Sequence, residues 1–383
     1  MRPAPIRTDT SNAFAHHTMT VRVHGTIQDI LDRNADYPDS IQKALRDLSA
    51  EIKADAPIPM LSPFAPDTPL WQSALDQHRH DTWLNTVWFF AETYFYRQIM
   101  ERVRWWETGR DPFTPNKLEE YASPALWTLM EAALNLGGSP REKLEVGLAQ
   151  ALWGNRIDLS FAASREHGTT ASMDDLIVDN AAQAVDQLLH GRGAVHLITD
   201  NAGTELAMDV VLIDRLLAGV ADEVVVHLKM HPTFVSDAIV ADVWAFLQIL
   251  EARGELYAAL SQRLRAAVDS GRLRLLPNFF WNSPYFLWDL PSGMRTGFQS
   301  ARLVIVKGDA NYRRVVGDAV WPADAPFAEA TSYFPAPLLT LRTLKSDPVV
   351  GLPANMAEAL DTLDAAWRVN GRRGVIQYAG GER

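Results

Sequence analysis

The 383-residue chain contains no cysteine. Disulfides, thiolate metal sites and a cysteine nucleophile are therefore excluded, and any metal site must use oxygen or imidazole ligands. No window of about 18 uninterrupted apolar residues exists, so the sequence contains no candidate transmembrane helix. Residues 1–20 are polar and lack the apolar core of a secretion signal. We expect a cytoplasmic protein without a membrane partner and with a flexible amino terminus over residues 1–20.

The chain also lacks an excess of positive charge, because its formal net charge is -11. Binding to nucleic acid depends mainly on clustered Lys and Arg, so a nucleic-acid partner is disfavoured. A small phosphorylated ligand needs only a local basic pocket, and this class of partner stays open.

Three glycine-containing signatures are missing as well. Neither a P-loop, nor Gly-x-Ser-x-Gly, nor Gly-x-Gly-x-x-Gly follows any predicted strand. Their absence argues against an NTPase, a serine hydrolase of that type and a dinucleotide-binding protein.

The hydrophobic pattern changes near Gly193. Helical periodicity dominates before it, with a long predicted helix over 81–106 and a last one over 173–189. After it, short apolar runs alternate with helical patterns, which favours a mainly parallel sheet with helices packed on it. The predicted strands are 194–199, 223–228, 272–276, 302–306 and 338–341, the last with 349–350. We therefore predict an α/β protein with a helical bundle domain over 21–190 and an α/β domain over 191–383.

Polar clusters follow four of the predicted strands. Parallel strands present their carboxyl ends to one edge of a sheet, so these clusters are expected to lie together. Carboxylates and an amide beside several cations are what a hard metal ion and a phosphate require. The clusters are Asp200, Asn201 and Glu205 after the first strand, 229–237 after the second, 307–314 after the fourth and 341–345 near the fifth.

Each cluster also has a simpler structural explanation. A single Asp before a helix is more often a cap than a ligand, an Asp or Asn beside Gly often forms a tight turn, and an isolated cation is usually solvated. These alternatives apply to Asp200 and Asp237, to Asp309 and Asn311, and to Arg342 and Lys345, respectively.

Taken together, the motifs resemble the damage-control phosphatase family, and the Arg-Thr-x-Lys element resembles the mark of its third subfamily. The motifs are Asp-Asn-Ala-Gly-Thr-Glu-Leu (200–206), His-x-Lys-x-x-Pro-x-Phe-Val-Ser-Asp (227–237), Lys-Gly-Asp-x-Asn-Tyr-Arg-Arg (307–314) and Leu-Arg-Thr-Leu-Lys (341–345), with 85–97 and 153–160 in the helical half. The resemblance runs from about residue 20 to beyond residue 350. One departure is Ala310, where the family often has a larger apolar residue.

The resemblance implies a metal-dependent phosphatase of sugar phosphates such as fructose phosphates, with a Rossmann-like αβα sandwich as its catalytic domain. It implies one divalent metal ion (Mg²⁺, Mn²⁺, Co²⁺ or Ni²⁺) on Asp200, Asn201 and Asp237. Asp309 joins these three as a residue implied for catalysis. The residues implied for substrate binding are Glu205, Lys307, Asp309, Asn311, Tyr312, Arg313 and Lys345, with Asn155 and Asp158 reaching the cleft from the helical domain.

Two other functions stay open. The first is S-adenosylmethionine-dependent methylation of protein glutamate carboxyl groups, for which Glu205 matches a position assigned to the methyl-donor site. The first loop lacks the glycine-rich turn usual for that cofactor. The second is a non-catalytic sugar-phosphate sensor that uses the same pocket. For the phosphatase, both water and an aspartate remain candidates for the nucleophile.

Overall fold

The computed structural model describes residues 2–63, 65–154 and 175–380. The first half is helical: α1 (Ala13–His17), a π-helical turn (Thr18–Arg22), α2 (Val23–Arg33), α3 (Asp39–Lys53), α4 (Thr68–His78), α5 (Trp88–Arg102), α6 (Trp105–Thr108), α7 (Thr114–Ala122), α8 (Pro124–Leu134) and α9 (Pro140–Trp153). Strands and helices alternate in the second half: β1 (Leu176–Asp179), α10 (Ala181–Leu189), β2 (Ala194–Ile198), α11 (Thr204–Leu217), β3 (Glu223–Lys229), α12 (Val240–Ala252), α13 (Glu255–Asp269), β4 (Leu273–Asn278), α14 (Ser292–Gln299), β5 (Leu303–Lys307), α15 (Asp309–Val316), α16 (Phe327–Ala330), β6 (Leu338–Thr343), α17 (Met356–Leu363) and β7 (Gly374–Ala379). Among these described residues, no helix is long and apolar enough to cross a membrane.

The seven strands form one sheet in the order β1-β7-β6-β5-β2-β3-β4. Every neighbouring pair is parallel except β6 and β7. Ile198 lies opposite His227 on one side and Val306 on the other, so β2, β3 and β5 end together. The predicted α/β class with a mainly parallel sheet is confirmed, and the segments that follow these three strands meet at one edge.

Two parts of the predicted element pattern differ from the structure. The predicted helix over 173–189 contains strand β1 at Leu176–Asp179, and its helix begins only at Ala181. The Asp179 carboxylate accepts a hydrogen bond from the Ala181 amide at 2.9 Å and separates the two elements. The predicted strand residues Val349 and Val350 lie outside any strand, and β7 pairs with β6 instead.

Among the described residues, the three largest hydrophobic cores lie in the bundle and on the two faces of the sheet. The bundle core takes residues from Met19 to Phe113, and one face of the sheet is covered by α8 to α13. The opposite face packs against α14, α15 and α16. The αβα sandwich is therefore present, and the segment 121–153 shares a core with the sheet, ahead of the expected boundary at residue 190.

The amino-terminal residues are packed, unlike the expected flexible segment 1–20. Ile6, Ala15 and Met19 are buried. The Ile6 amide donates to the Asp318 carbonyl at 2.8 Å, and the Ile6 carbonyl accepts from the Trp88 amide at 2.9 Å. This segment therefore connects α5 to the α/β half. Its polar composition gave no sign of this packing.

Candidate active site

Two loops at the carboxyl edge of the sheet are joined through their backbones. Asn201, after β2, forms an isolated antiparallel bridge with Asp237, which lies in the loop between β3 and α12. The Ala202 amide donates to the Ser236 carbonyl, and the Ala238 amide donates to the Asp200 carbonyl, both at 2.7 Å. The structure therefore brings together the three residues that the sequence predicted as metal ligands.

Neither aspartate is a helix cap. Helix α11 has Gly203 at its N-cap, and α12 has Ile239, whose amide donates to Asp242. The capping explanation for Asp200 and Asp237 is therefore wrong, and capping does not account for their two carboxylates.

The side chains of the two loops form one buried polar cluster. The Asn201 amide nitrogen donates to Asp200 Oδ2 at 3.0 Å and to Glu205 Oε2 at 2.7 Å. Its oxygen accepts from the Ser236 hydroxyl at 2.6 Å. Asp237 Oδ2 lies 3.3 Å from Lys229 Nζ, an ion-pair distance without hydrogen-bond geometry. Two carboxylates therefore contact one amide, and the third carboxylate, that of Asp237, is close enough to act on the charge of Asp200.

Burial dominates the electrostatics of this cluster. Burial raises the pKa of Asp200 well above its ordinary range, and the carboxylates of Glu205 and Asp237 raise it further. Burial also raises the pKa of Asp237 to about 6, although the Lys229 ammonium opposes the shift. Carboxylates that repel one another in a low-dielectric site ionise together only when a cation compensates them.

The oxygen atoms fit a hard divalent cation. Asp237 Oδ2 is buried and has no hydrogen-bond donor among the described residues. Two carboxylates and an amide oxygen are ligands that Mg²⁺ and Mn²⁺ accept. Asn201 would present its oxygen only by exchanging its two amide ends, since the oxygen now accepts from Ser236. Within the described ranges, no group of three or more His, Asp or Glu side chains is arranged to hold a metal ion, so the proposed ligand set depends on the Asn201 oxygen.

Gly308, which follows β5, lies against the Asp200 carboxylate. Its φ is 84°, and a Cβ added there would lie 2.0 Å from Asp200 Oδ2. The Gly308 amide also donates to the Leu341 carbonyl at 2.9 Å, which connects the ends of β5 and β6. Only glycine combines this backbone conformation with such a close approach.

Lys307 and Asn311 contact side chains of the polar cluster. Lys307 is 0% exposed, and its Nζ lies 3.0 Å from Glu205 Oε1 and 2.8 Å from Asp209 Oδ1. Asn311 accepts from Lys229 Nζ at 3.2 Å and donates to the Thr199 carbonyl at 2.9 Å. These contacts connect three strand ends, and the role of both side chains in substrate binding stays a prediction.

Tyr312 and Arg313 are likewise engaged within the protein. The Tyr312 hydroxyl donates to Gln377 Oε1 at 3.0 Å. The Arg313 guanidinium pairs with Asp318 at 2.7 Å and with Glu92 of α5 at 2.5 Å. Their role in substrate binding stays a prediction, and Arg313 connects α15 to the helical half.

Lys345 is an exposed cation at this edge of the sheet. Its side chain forms no hydrogen bond or ion pair with another described residue, and its charge acts on Asp200. Asp309 accepts from the Lys345 backbone amide at 3.0 Å and from Arg342 Nε at 2.8 Å. Burial acts to raise the pKa of Asp309, but Arg342 and Arg313 outweigh it and the pKa is lowered. Arg342 is buried, so its interpretation as a solvated cation is wrong.

Some site residues lie outside the sequence prediction or outside the described residues. Asn155 and Asp158 belong to the latter group. Lys229, buried at the end of β3, belongs to the predicted cluster 229–237 but was given no role. A lysine that ends an apolar run is a usable signal, and Lys307 at the end of β5 shows the same pattern. Lys117 and Glu120 of α7 also contact the site loops, and no local pattern indicates such distant pairs.

The fold and the cluster define an α/β protein with a group of buried acidic side chains at the carboxyl edge of its sheet. A family model described as "Damage-control phosphatase ARMT1-like domain" matches residues 17–360, and the chain belongs to this family. The resemblance found in the motifs is thereby confirmed. Membership supports a metabolite-repair phosphatase that acts on small phosphorylated molecules.

Individual relatives agree with this assignment. The protein named "Damage-control phosphatase ARMT1" from Danio rerio is 30% identical over 378 residues, which cover 88% of this chain and 84% of that protein. The proteins of the same name from Rattus norvegicus and Homo sapiens are 31% and 28% identical, each over 88% of this chain and 86% of the relative. A solved structure of a DUF89 family protein from Pyrococcus horikoshii has a TM-score of 0.49 and 15% identity, over 94% of this chain and 97% of that one.

Proposed function

We propose that this protein hydrolyses phosphomonoesters of small metabolites, with sugar phosphates such as fructose phosphates as the substrate class, using one divalent metal ion. The observation that carries the proposal is the buried juxtaposition of Asp200, Asn201 and Asp237 at the edge where the exposed Lys345 lies. Family membership supports the phosphatase part.

In this proposal Asp200, Asn201 and Asp237 hold the ion. A divalent ion in such a site supplies Lewis acidity to a phosphoryl oxygen and offsets negative charge. Lys345 binds phosphate oxygens, because its ammonium is exposed beside the cluster. Asp309 keeps the Lys345 backbone in place through its hydrogen bond, and its lowered pKa makes it a weak base. We assign Asp309 to positioning for this reason.

The test uses protein stripped with a chelator and then assayed for phosphate release from a panel of sugar phosphates, with and without Mn²⁺, Co²⁺ or Mg²⁺. We expect metal to restore release in the wild type. Asp200→Asn should lose more than about 100-fold, since removing even an outer-shell partner of a ligand costs 10- to 100-fold. Asp214→Asn is the matched control, because Asp214 lies on α11 and pairs with Arg263 at the surface. Failure of every metal to restore release from any substrate would refute the proposal.

Methyl transfer stays a prediction that no structural observation favours. Glu205, its expected donor-site residue, is buried and paired with Lys307 and Asn201. Transfer of label from S-adenosylmethionine that disappears in Glu205→Ala would support it. Sugar-phosphate binding without turnover by metal-loaded protein would support the sensor instead.

A further inference from the structure

Helix α7 connects the bundle to the sheet half directly beside the site. Phe113, immediately before the helix, belongs to the bundle core, whereas Tyr121 near its end belongs to the core on the sheet. The Tyr121 ring stacks on Phe246 of α12 with centroids 5.1 Å apart. A helix of nine residues is therefore anchored in both halves.

Lys117 of α7 binds the loop that carries Asp237. Its Nζ donates to Asp111 Oδ2 at 2.9 Å, to Asp242 Oδ2 at 2.7 Å and to the Asp237 backbone carbonyl at 3.2 Å. An ammonium has three donors, so the group is saturated, and its side chain is 3% exposed. Asp242 in turn accepts from the Ile239 amide at the start of α12 at 2.9 Å. Lys117 therefore secures the backbone on both sides of Ala238.

Glu120, one turn further along α7, binds the other loop. Its Oε2 accepts from the Thr204 amide at 3.1 Å, at the amino end of α11 where a carboxylate is favourable. Gly203 has a φ of 71°, and a Cβ added there would lie 1.8 Å from Glu120 Oε2. Glu120 therefore secures the backbone between Asn201 and Glu205.

The loop held by Lys117 has a costly backbone conformation. Phe234 and Val235 have φ values of 48° and 68°, a region unfavourable for bulky and especially β-branched residues. Such a conformation persists only when neighbouring structure imposes it. The Tyr96 ring of α5 lies 4.8 Å from the Phe234 ring, which is a further contact from the helical half.

We propose that α7 is a positioning element for the metal site. Lys117 and Glu120 keep the two ligand-bearing loops at the spacing that Asp200, Asn201 and Asp237 need to bind one ion, although neither side chain belongs to that ligand set. The inference rests on the proposed function for the identity of the ion. The helical half thereby sets metal affinity from outside the sheet.

The experiment compares Lys117→Met, Glu120→Ala and Glu120→Gln with Glu119→Gln. Glu119 lies on the same helix, but its side chain is 68% exposed and pairs with Arg33. Mn²⁺ is titrated calorimetrically into full-length, chelator-stripped protein, and hydrogen exchange is measured for amides 200–205 and 233–239. We expect Mn²⁺ to bind about 10-fold more weakly to Lys117→Met and Glu120→Ala, with faster exchange in both loops. Glu120→Gln keeps an oxygen acceptor for Thr204 and should retain most of the affinity, and Glu119→Gln should match the wild type.

Wild-type Mn²⁺ affinity and unchanged loop exchange in both Lys117→Met and Glu120→Ala would overturn the inference. Lys117→Met leaves the mostly buried Asp111 and Asp242 without their cation. If this single variant does not fold, the double variant Lys117→Met with Asp111→Asn is used in its place. Should the wild type bind no divalent ion, the proposed function fails, and loop exchange alone decides whether α7 positions the loops.

Discussion

Two buried lysines, Lys307 and Lys229, form ion pairs with carboxylates of the site. Lys307 pairs with Glu205 and Asp209, whereas Lys229 lies beside Asp237. Asp200 has no cation within ion-pair distance among the described residues. Because buried charges persist only when they are compensated, the uncompensated charge is concentrated at Asp200, and the metal is proposed to bind there together with Asp237.

Comparing Gly308→Ala with a control variant should distinguish two effects of the added methyl group. One is its steric contact with Asp200, and the other is the backbone strain of a positive φ. The added Cβ would lie 2.0 Å from Asp200 Oδ2, so the carboxylate must move. Gly271 has a similar φ of 74° with nothing within 4 Å of an added Cβ, and Gly271→Ala is the control. Both variants should lose about 1–2 kcal/mol of unfolding free energy, measured in urea. Only Gly308→Ala should lose metal-dependent phosphate release, by about 10-fold or more. Equal activity in the two variants would contradict this assignment of Gly308.

At the scale of elements, β2 and β3 contribute a buried histidine pair away from the site. His196 Nδ1 and His227 Nε2 lie 2.9 Å apart, and Phe298 packs on both rings. Burial lowers the pKa of His196 to about 4 and that of His227 to about 3. Both rings are therefore neutral in the folded protein near neutral pH, and the pair constrains the two strands that precede the acidic loops.

The low pKa values of His196 and His227 predict that the free energy of unfolding falls in acid. Between pH 6.5 and the lowered folded-state values, the unfolded chain binds protons that the folded protein does not, so the free energy of unfolding falls as pH falls. His227 alone should account for about 2 kcal/mol between pH 7.5 and pH 5. Urea denaturation measures the free energy of unfolding at both pH values. The decrease from pH 7.5 to pH 5 should be smaller in His227→Gln than in the wild type, by the amount assigned to His227. The exposed His80→Gln should behave as the wild type does, and parallel curves for His227→Gln and wild type would count against the pair.

At the scale of the whole molecule, the helical and sheet halves are joined by charged contacts beside the site. Arg313 pairs with Glu92 of α5, and Lys117 pairs with Asp242 of α12. A ligand bound between the loops therefore stabilises the entire fold rather than one loop.

Metal binding should raise the melting temperature, because the ion binds the folded protein and relieves repulsion among buried carboxylates. At an ion concentration 100 times Kd the gain is about 2.7 kcal/mol. Asp200→Asn removes a charge that burial and two neighbouring carboxylates disfavour, so the metal-free variant should melt above the metal-free wild type. The same variant should lose the metal-induced shift. Differential scanning calorimetry with and without Mn²⁺ checks both, and a metal-free Asp200→Asn that melts below the wild type would argue against the electrostatic account.

Much of the α/β half could be predicted from short-range pattern. The apolar runs of β2, β3, β5 and β6 were predicted because buried strands are continuously hydrophobic. The edge strand β4 was also predicted, although it is only partly buried. Strand β1 was missed, since a four-residue run directly before a helix does not reveal its partner β7. The expected boundary at residue 190 was set by periodicity, which does not report that α8 and α9 pack against the sheet.

The sequence by itself determined the fold class, the family and the types of side chain at the strand ends, because strand periodicity, Gly308 and the order of acidic and basic residues are local properties. Only the tertiary structure decided which charges face a ligand and which compensate one another. Lys307 and Lys345 look equivalent in sequence, yet the first is buried between two carboxylates and the second is exposed. Burial and pairing depend on residues far apart in the chain, as do the contacts of Lys117 and Glu120, and only packing brings such residues together.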